Sequence, residues 1–334
     1  MVYDAEERLD NIGYRTGNNG YRWGTGQKEH GEKCIENTGH IRYLRNIYFV
    51  IFNFIVIFLF YKELAEVARL SFDSELYSHI PLIPLISVAF LFKKRKTIFS
   101  EISYSFQAGI PVVITGGLFF LIGKSRAMLL NQNDYLSLMV FSFLLCFIGS
   151  FIVFFGTRTF RKAIFPLLFL IFIVPIPTFI LEPLIRILLI GSAGAADLIF
   201  KLFDVTYYRN GFIFELPGIT VEVAKQCSGI RSSLALFITS IIAGHLFLQT
   251  NIRRIALFLF IIPLTIFKNS LRIVTLSLLA SEIDAAWITN SWLHKSGGQP
   301  FFILALLLLT PVLLFLRRSE ARRANGAGGT ARRA

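Results

Sequence analysis

The sequence predicts an all-α polytopic membrane protein, and three observations carry that expectation. Of 334 residues, 54% are hydrophobic and 15% aromatic, while only 16% are charged; an ordinary soluble domain is about a quarter charged. Mean hydropathy is +0.61. Apolar runs of roughly 15–25 residues recur along the chain, which is the length a bilayer asks of a helix. A water-soluble fold would have to hide 35 Phe residues and their Leu and Ile neighbours.

The charge pattern fits the same class. The formal charge is +13, from 34 basic and 21 acidic residues. The basic residues stand in short loops beside apolar runs, as the positive-inside rule requires. The aromatic–basic interleaving of a nucleic-acid groove is missing, so the expected partner is a lipid bilayer and not nucleic acid. Three cysteines, Cys34, Cys146 and Cys227, make no disulfide framework.

Residues 1–41 are polar and Gly-rich and read as a mobile cytoplasmic tail. They lack the charged, apolar and cleavage regions of a signal peptide. The transmembrane domain is expected over 42–318, with about eight helices. Its apolar runs fall at about 44–61, 76–92, 107–123, 135–156, 163–181, 230–248, 255–280 and 299–316. Four of them end in basic clusters: Lys93-Lys94-Arg95-Lys96, then Arg158 with Arg161 and Lys162, then Arg253-Arg254, then Arg317-Arg318. Pro175 and Pro177 break the fifth run. Residues 319–334 form a second, basic cytoplasmic tail.

Two segments between the fifth and sixth runs are of another kind. Arg186, Asp197 and Lys201 interrupt 184–204, which predicts an amphipathic helix lying at the interface or packed on the bundle. Residues 207–218 place Arg209-Asn210-Gly211 between β-prone residues, the pattern of a short extracytoplasmic hairpin. Eight spans put all four basic clusters on the inside only if 184–204 does not cross.

Polar residues converge at one depth. Cys227 precedes the sixth span at its outer end. Arg272 lies 18 residues beyond Arg254, roughly 27 Å at about 1.5 Å per residue. That is near the outer boundary of a hydrocarbon core of about 30 Å. His294 lies in the outer loop before the last span.

Each residue has a plain reading beside the chemical one. A lone membrane cysteine is commonly a small buried hydrophobe. Cys227, however, has Lys225, Ser228, Gly229 and Arg231 for company, and a helix start with nearby cations favours thiolate. An ionisable group inside a span is costly, and function is its default reading. Arg272 is such a group; the alternative is snorkelling, which Lys268 would do more easily. Asn269 lies one turn before Arg272 on the same face. His294 is either an ordinary loop histidine or the acid–base partner of a thiol. His245 sits too near the inner end of its span and reads as structural. Neither HExxH nor CxxC occurs, so no metal and no other cofactor is expected.

At these residues the chain resembles the exosortase/archaeosortase family of membrane-embedded cysteine transpeptidases. The resemblance rests on Val223-Ala-Lys-Gln-Cys-Ser-Gly-Ile-Arg-Ser232, on Asn269-Ser-Leu-Arg272, and on His294 followed by Gly297-Gly298. Val174-Pro175-Ile176-Pro177, Pro183-Leu184 and the hairpin belong to it too. It implies catalytic roles for Cys227, Arg272 and His294, with Ser228, Gly229, Arg231 and Asn269 in support. It implies exported substrates ending in a short motif, a transmembrane helix and a basic cluster. They would be cleaved at the outer face of the cytoplasmic (inner) membrane and joined to an acceptor, often beside polysaccharide biosynthesis machinery. Three rival readings share these residues: a peptidase that only hydrolyses, a non-enzymatic transporter or scaffold with Arg272 as a clamp, and an assembly factor for surface polysaccharide export.

Overall fold

In a computed structural model, the backbone of residues 26–100, 102–224, 228–282 and 298–330 is described, with side chains for 43–100, 102–224, 228–282 and 298–322. The chain divides into two compact units, Met1–Phe54 and Ile55–Ala334. Helix α1, Gly26–Leu59, begins inside the stretch that the sequence assigns to the tail. The rest of the order is α2 Tyr61–Asp73, a 3-10 turn Glu75–Tyr77, α3 Leu82–Lys93, α4 Arg95–Ile98, α5 Phe106–Ser125 and α6 Gln132–Lys162. Next come α7 Ile164–Phe169, a 3-10 turn Leu170–Ile173, and α8 Thr178–Leu202. Strands β1 Tyr208–Asn210, β2 Ile213–Leu216 and β3 Ile219–Glu222 lead to α9 Ile230–Phe247, α10 Asn251–Glu282 and α11 Gln299–Thr330.

The basic clusters gather at one end of the second unit. Lys162 Nζ donates to Ser100 Oγ at 2.9 Å, tying the end of α6 to the segment after Lys96. His245 stacks on Phe165 with centroids 3.5 Å apart and meets Phe90 edge-on at 5.5 Å. It is therefore packing material, as its depth implies. Arg253 Nη1 pairs with Glu320 Oε1 at 3.1 Å, and Glu320 also accepts the N–H groups of Gln249 and Thr250. Helix α11 thus runs past Arg318 into the basic tail and docks there.

The opposite end is a polar rim. Glu63 accepts from Lys124 Nζ at 2.5 Å and from the Tyr135 hydroxyl at 2.8 Å. Tyr77 donates to Asn133 Oδ1 at 2.7 Å, and Asp134 Oδ1 accepts the backbone N–H of Thr178 at 2.6 Å. Arg231 pairs with Glu75. Glu63, Val67 and Ser71 form the buried stripe of α2 at i, i+4 and i+8. This amphipathic helix is one that the polar residues at 62–73 hide from a search for apolar runs.

Among the described residues, length and composition alone make seven helices candidate spans, or eight if the pair that breaks at Phe60 counts as one. That set includes α8 and leaves out the short apolar Ile164–Ile173. Contacts add a further connection between the two ends. Residues 164–177 leave the basic end beside Phe90 and reach the rim, where Asn133 Nδ2 donates to Ile176 O at 2.8 Å and Ser137 Oγ to Pro175 O at 2.8 Å. The fifth run therefore joins the two ends by a short helix, a 3-10 turn and an extended Pro-x-Pro stretch. Extended chain covers more distance per residue than helix does.

Helix α8 begins at the rim, where Thr178 meets Asp134. Its second half packs by Leu189, Ala193, Ala196 and Phe200 on Phe214, Leu216, Val223, Ile273 and Val274. Ile273 and Val274 directly follow Arg272 on α10, and a Cβ on Gly191 would fall 2.8 Å from Ile266 Cδ1, farther down that helix. The length and hydropathy of α8 make it a candidate span, whereas the parity of the basic clusters asks for a packed amphipathic helix. The outward face of α8 is apolar, with Phe179, Ile187 and Leu198 exposed.

The hairpin forms a three-stranded antiparallel sheet in the order β1-β2-β3. Phe214 opposes Val221 and Leu216 opposes Ile219, which lays one apolar face on α8 and α10. Tyr207 anchors it, donating to Asp197 Oδ1 at 2.8 Å. Burial and the neighbouring carboxylate push the Tyr207 phenol up to about 12. Helix α6 carries an internal break at Gly156, with φ 87 and ψ 163. The Ser103 carbonyl fills the space a side chain would need there, and the basic turn Arg158–Lys162 follows.

Candidate active site

The polar motif of the sequence meets the buried face of α10 at the rim end. Gly229 caps α9 in the left-handed conformation, with φ 71 and ψ 13. A Cβ on Gly229 would fall 2.6 Å from Asn269 Oδ1. Both facts exclude any other residue, because L side chains avoid this φ and the space is already taken. The turn is also pinned through its carbonyl. Gly229 O accepts from Ser233 N–H at 2.9 Å, Ser233 Oγ at 2.6 Å and Ser232 Oγ at 3.1 Å. Ser228 is fully buried, and its Oγ accepts from Ile230 N–H at 3.4 Å.

From α10, three polar side chains share the site. Lys268 is 2% exposed, Asn269 0% and Arg272 9%. Residues 268 and 272 are i and i+4, and 269 and 272 are i and i+3, so all three project from neighbouring positions of one face. Lys268 Nζ donates to Ser232 Oγ. Gly298, just before α11, closes the other side: a Cβ there would fall 3.5 Å from Arg272 Cδ and 3.6 Å from its Nε.

Of the residues singled out in the sequence, the fold thus sets Gly229, next to the buried Ser228, against Asn269, with Arg272 a turn beyond. Arg231 is engaged by Glu75 and braces the start of α9 against the rim. Cys227 and His294 lie outside the described residues. Cys227 is bonded to Ser228, and His294 stands four residues before Gly298.

Lys268 corrects one expectation. A snorkelling lysine keeps its ammonium in water, yet this one is buried in the bundle on a serine hydroxyl. The hydroxyl comes from Ser232, 36 residues earlier, which spacing along one helix does not reveal. The available signal is that Lys268 shares a face with Arg272.

The electrostatics are unusual for a span. Two cations, one helical turn apart, are buried with no carboxylate within ion-pair distance among the described residues. A charged group in low dielectric is expensive without a partner. A site that keeps two is preorganised for negative charge, whether a thiolate or a developing oxyanion.

Comparison with known proteins gives one match. Residues 67–311, more than half of the chain, match the family described as transmembrane exosortase. No curated protein and no solved structure matches the chain significantly. The matched region takes in most of the rim, the hairpin, the turn at Gly229, Arg272 and α11 as far as Pro311. The chain belongs to the transmembrane exosortase family.

Proposed function

We propose that this chain is a membrane-embedded cysteine transpeptidase. It cleaves the C-terminal sorting signals of exported proteins at the extracytoplasmic face of the cytoplasmic membrane and transfers them to an acceptor. Membership of the exosortase family suggests a membrane transpeptidase role. The observation that carries the reading further is the seating of the Ser228-Gly229 turn against Asn269, one helical turn from the buried Arg272. The orientation rests on charge: Lys93–Lys96 and the other basic clusters sit at the end opposite the rim, where the positive-inside rule puts the cytoplasm.

In this mechanism the Cys227 thiolate attacks the scissile carbonyl carbon. The carbonyl π electrons move to oxygen, and the Arg272 guanidinium stabilises that oxyanion. The oxyanion collapses, the C–N bond breaks, and His294 gives the departing amine its proton. An acyl thioester remains on Cys227. An acceptor nucleophile gives its proton to His294, attacks that thioester and releases the thiolate. Lys268 and Arg272 supply the positive potential that offsets the desolvation of a thiolate near the membrane boundary.

The test is processing of a co-expressed exported reporter that ends in a short motif, a transmembrane helix and a basic cluster. Wild type shifts the reporter on a gel, while Cys227→Ala and Cys227→Ser leave it unprocessed. The mass of the new reporter C-terminus separates transfer from hydrolysis: an added acceptor in one case, a free carboxylate in the other. Processing that persists in Cys227→Ala removes the enzyme reading and leaves a clamp or an assembly factor.

A further inference from the structure

The mechanism above needs one cation at the oxyanion, and α10 buries two. Lys268 is the less accessible of the pair, 2% exposed against 9% for Arg272. Within the described residues the Lys268 ammonium has one hydrogen-bond partner, Ser232 Oγ. A lysine could reach the same depth as a packed apolar chain if replaced by Met or Leu, so its charge needs a reason.

The reason lies in what Ser232 does next. Its hydroxyl donates to Gly229 O at 3.1 Å, so its lone pairs are left to receive the ammonium. The ammonium orients the hydroxyl, and the hydroxyl holds the carbonyl of the left-handed turn. That turn is wedged on its other side by Asn269, the residue next to Lys268. Helix α10 therefore grips the Ser228-Gly229 turn twice, by contact through Asn269 and by charge through Lys268. The ordinary caps of a helix start rely on side chains within a few residues; this one brings a buried cation from another helix.

We propose that Lys268 is a positioning residue of the transpeptidase, which acts through Ser232 to hold the turn after Cys227 in register with Arg272 and to keep positive charge behind it. The proposal rests on the transpeptidase reading for its consequence in turnover, but not for its effect on the thiol.

The experiment uses the full chain in membranes with Cys34 and Cys146 replaced by alanine, so that Cys227 is the one thiol. Alkylation of Cys227 by a maleimide is followed from pH 6 to 10 in this background, in Lys268→Met, in Ser232→Ala and in the double variant. A cation behind the turn favours thiolate, so Lys268→Met moves the alkylation midpoint to higher pH. Lys268→Arg, which keeps the charge, holds the midpoint near that of the parent. For the reporter, Lys268→Met and Ser232→Ala each lower kcat at least tenfold with KM little changed. The double variant is no worse than the poorer single, because both break one relay. Loss of membrane abundance does not move a pH midpoint, so a folding defect is told apart.

An unmoved midpoint in Lys268→Met together with additive losses in the double variant overturns the proposal. A shifted midpoint in an enzyme whose Cys227→Ala variant still processes the reporter upholds Lys268 while sinking the transpeptidase reading. The two failures are therefore distinct.

Discussion

The α5/α6 and α9/α10 pairs of this bundle both bury polar atoms, and they do so in opposite ways. Between α5 and α6, Ser142 Oγ donates to Gly116 O at 2.6 Å and Cys146 Sγ leans on Val113 O at 3.9 Å. Gly109, Gly116 and Gly123 line the contact every seventh residue, and a Cβ on Gly116 would fall 2.7 Å from Cys146 Sγ. Small residues let two backbones approach, and each donor finds a carbonyl. Between α9 and α10, the buried groups are Lys268 and Arg272, and the first of them rests on a hydroxyl. The α5/α6 contact is packing that satisfies itself. The α9/α10 contact leaves an electrostatic demand for something negative. The chain thus has one cysteine in a neutral, close-packed seam and another bonded to a turn backed by cations. On the proposed reading, that difference sets Cys146, a structural thiol, apart from Cys227, the proposed nucleophile.

The largest expected effect tests the charged side of that comparison. Arg272→Ala should lower kcat for the reporter by roughly 10²–10³-fold, the usual cost of removing an oxyanion donor, with the protein still in the membrane. Cys146→Ala should leave turnover at the wild-type level. Equal losses in the two variants would erase the contrast.

Next is the turn. Gly229→Ala places a methyl on Asn269 and forces a left-handed alanine, which costs on the order of 1–3 kcal/mol of strain. If the turn shifts to relieve it, turnover falls by about 100-fold for a 1 Å displacement of the nucleophile. Kinetics of the purified variant check this, and wild-type kcat would mean that the turn does not position the thiol.

The uncharged seam should respond only in stability. Gly116→Leu overpacks it by about 1–3 kcal/mol, which thermal unfolding in detergent reads as a lower Tm, while kcat per folded molecule stays unchanged. The smallest effect belongs to Arg231→Ala. Its partner Glu75 is 70% exposed at the side chain, and pairs of this kind are worth about 0–1 kcal/mol. A loss of turnover as large as that of Arg272→Ala would move Arg231 from a brace into the chemistry.

Much of the fold is legible in the sequence because a bilayer writes its requirement plainly. Apolar runs and basic clusters locate the crossings, and Gly156 ends the fourth where the run ends. Pro175 and Pro177 mark where the fifth stops being a helix. For α8, composition and charge parity point different ways. Its apolar outer face and length read as a span, while the parity of Lys96, Lys162, Arg254 and Arg318 reads as a surface helix. Helix α2 escapes notice because Glu63 and Glu66 depress its hydropathy, although its four-residue stripe is in plain view. At the site, residues with a local signature, Gly229 in Cys-Ser-Gly and Arg272 within a span, are readable one by one. The grip of Lys268 on Ser232 is not, since it exists only once α9 and α10 are packed.

The most direct measurement is the intact mass of the enzyme after acid quench during turnover of the reporter. The account predicts a fraction of wild-type chains heavier by the mass of the reporter's N-terminal fragment, with the adduct mapped to Cys227 and removed by hydroxylamine as a thioester should be. An unmodified enzyme during active processing, with Cys227→Ala processing equally well, would contradict it.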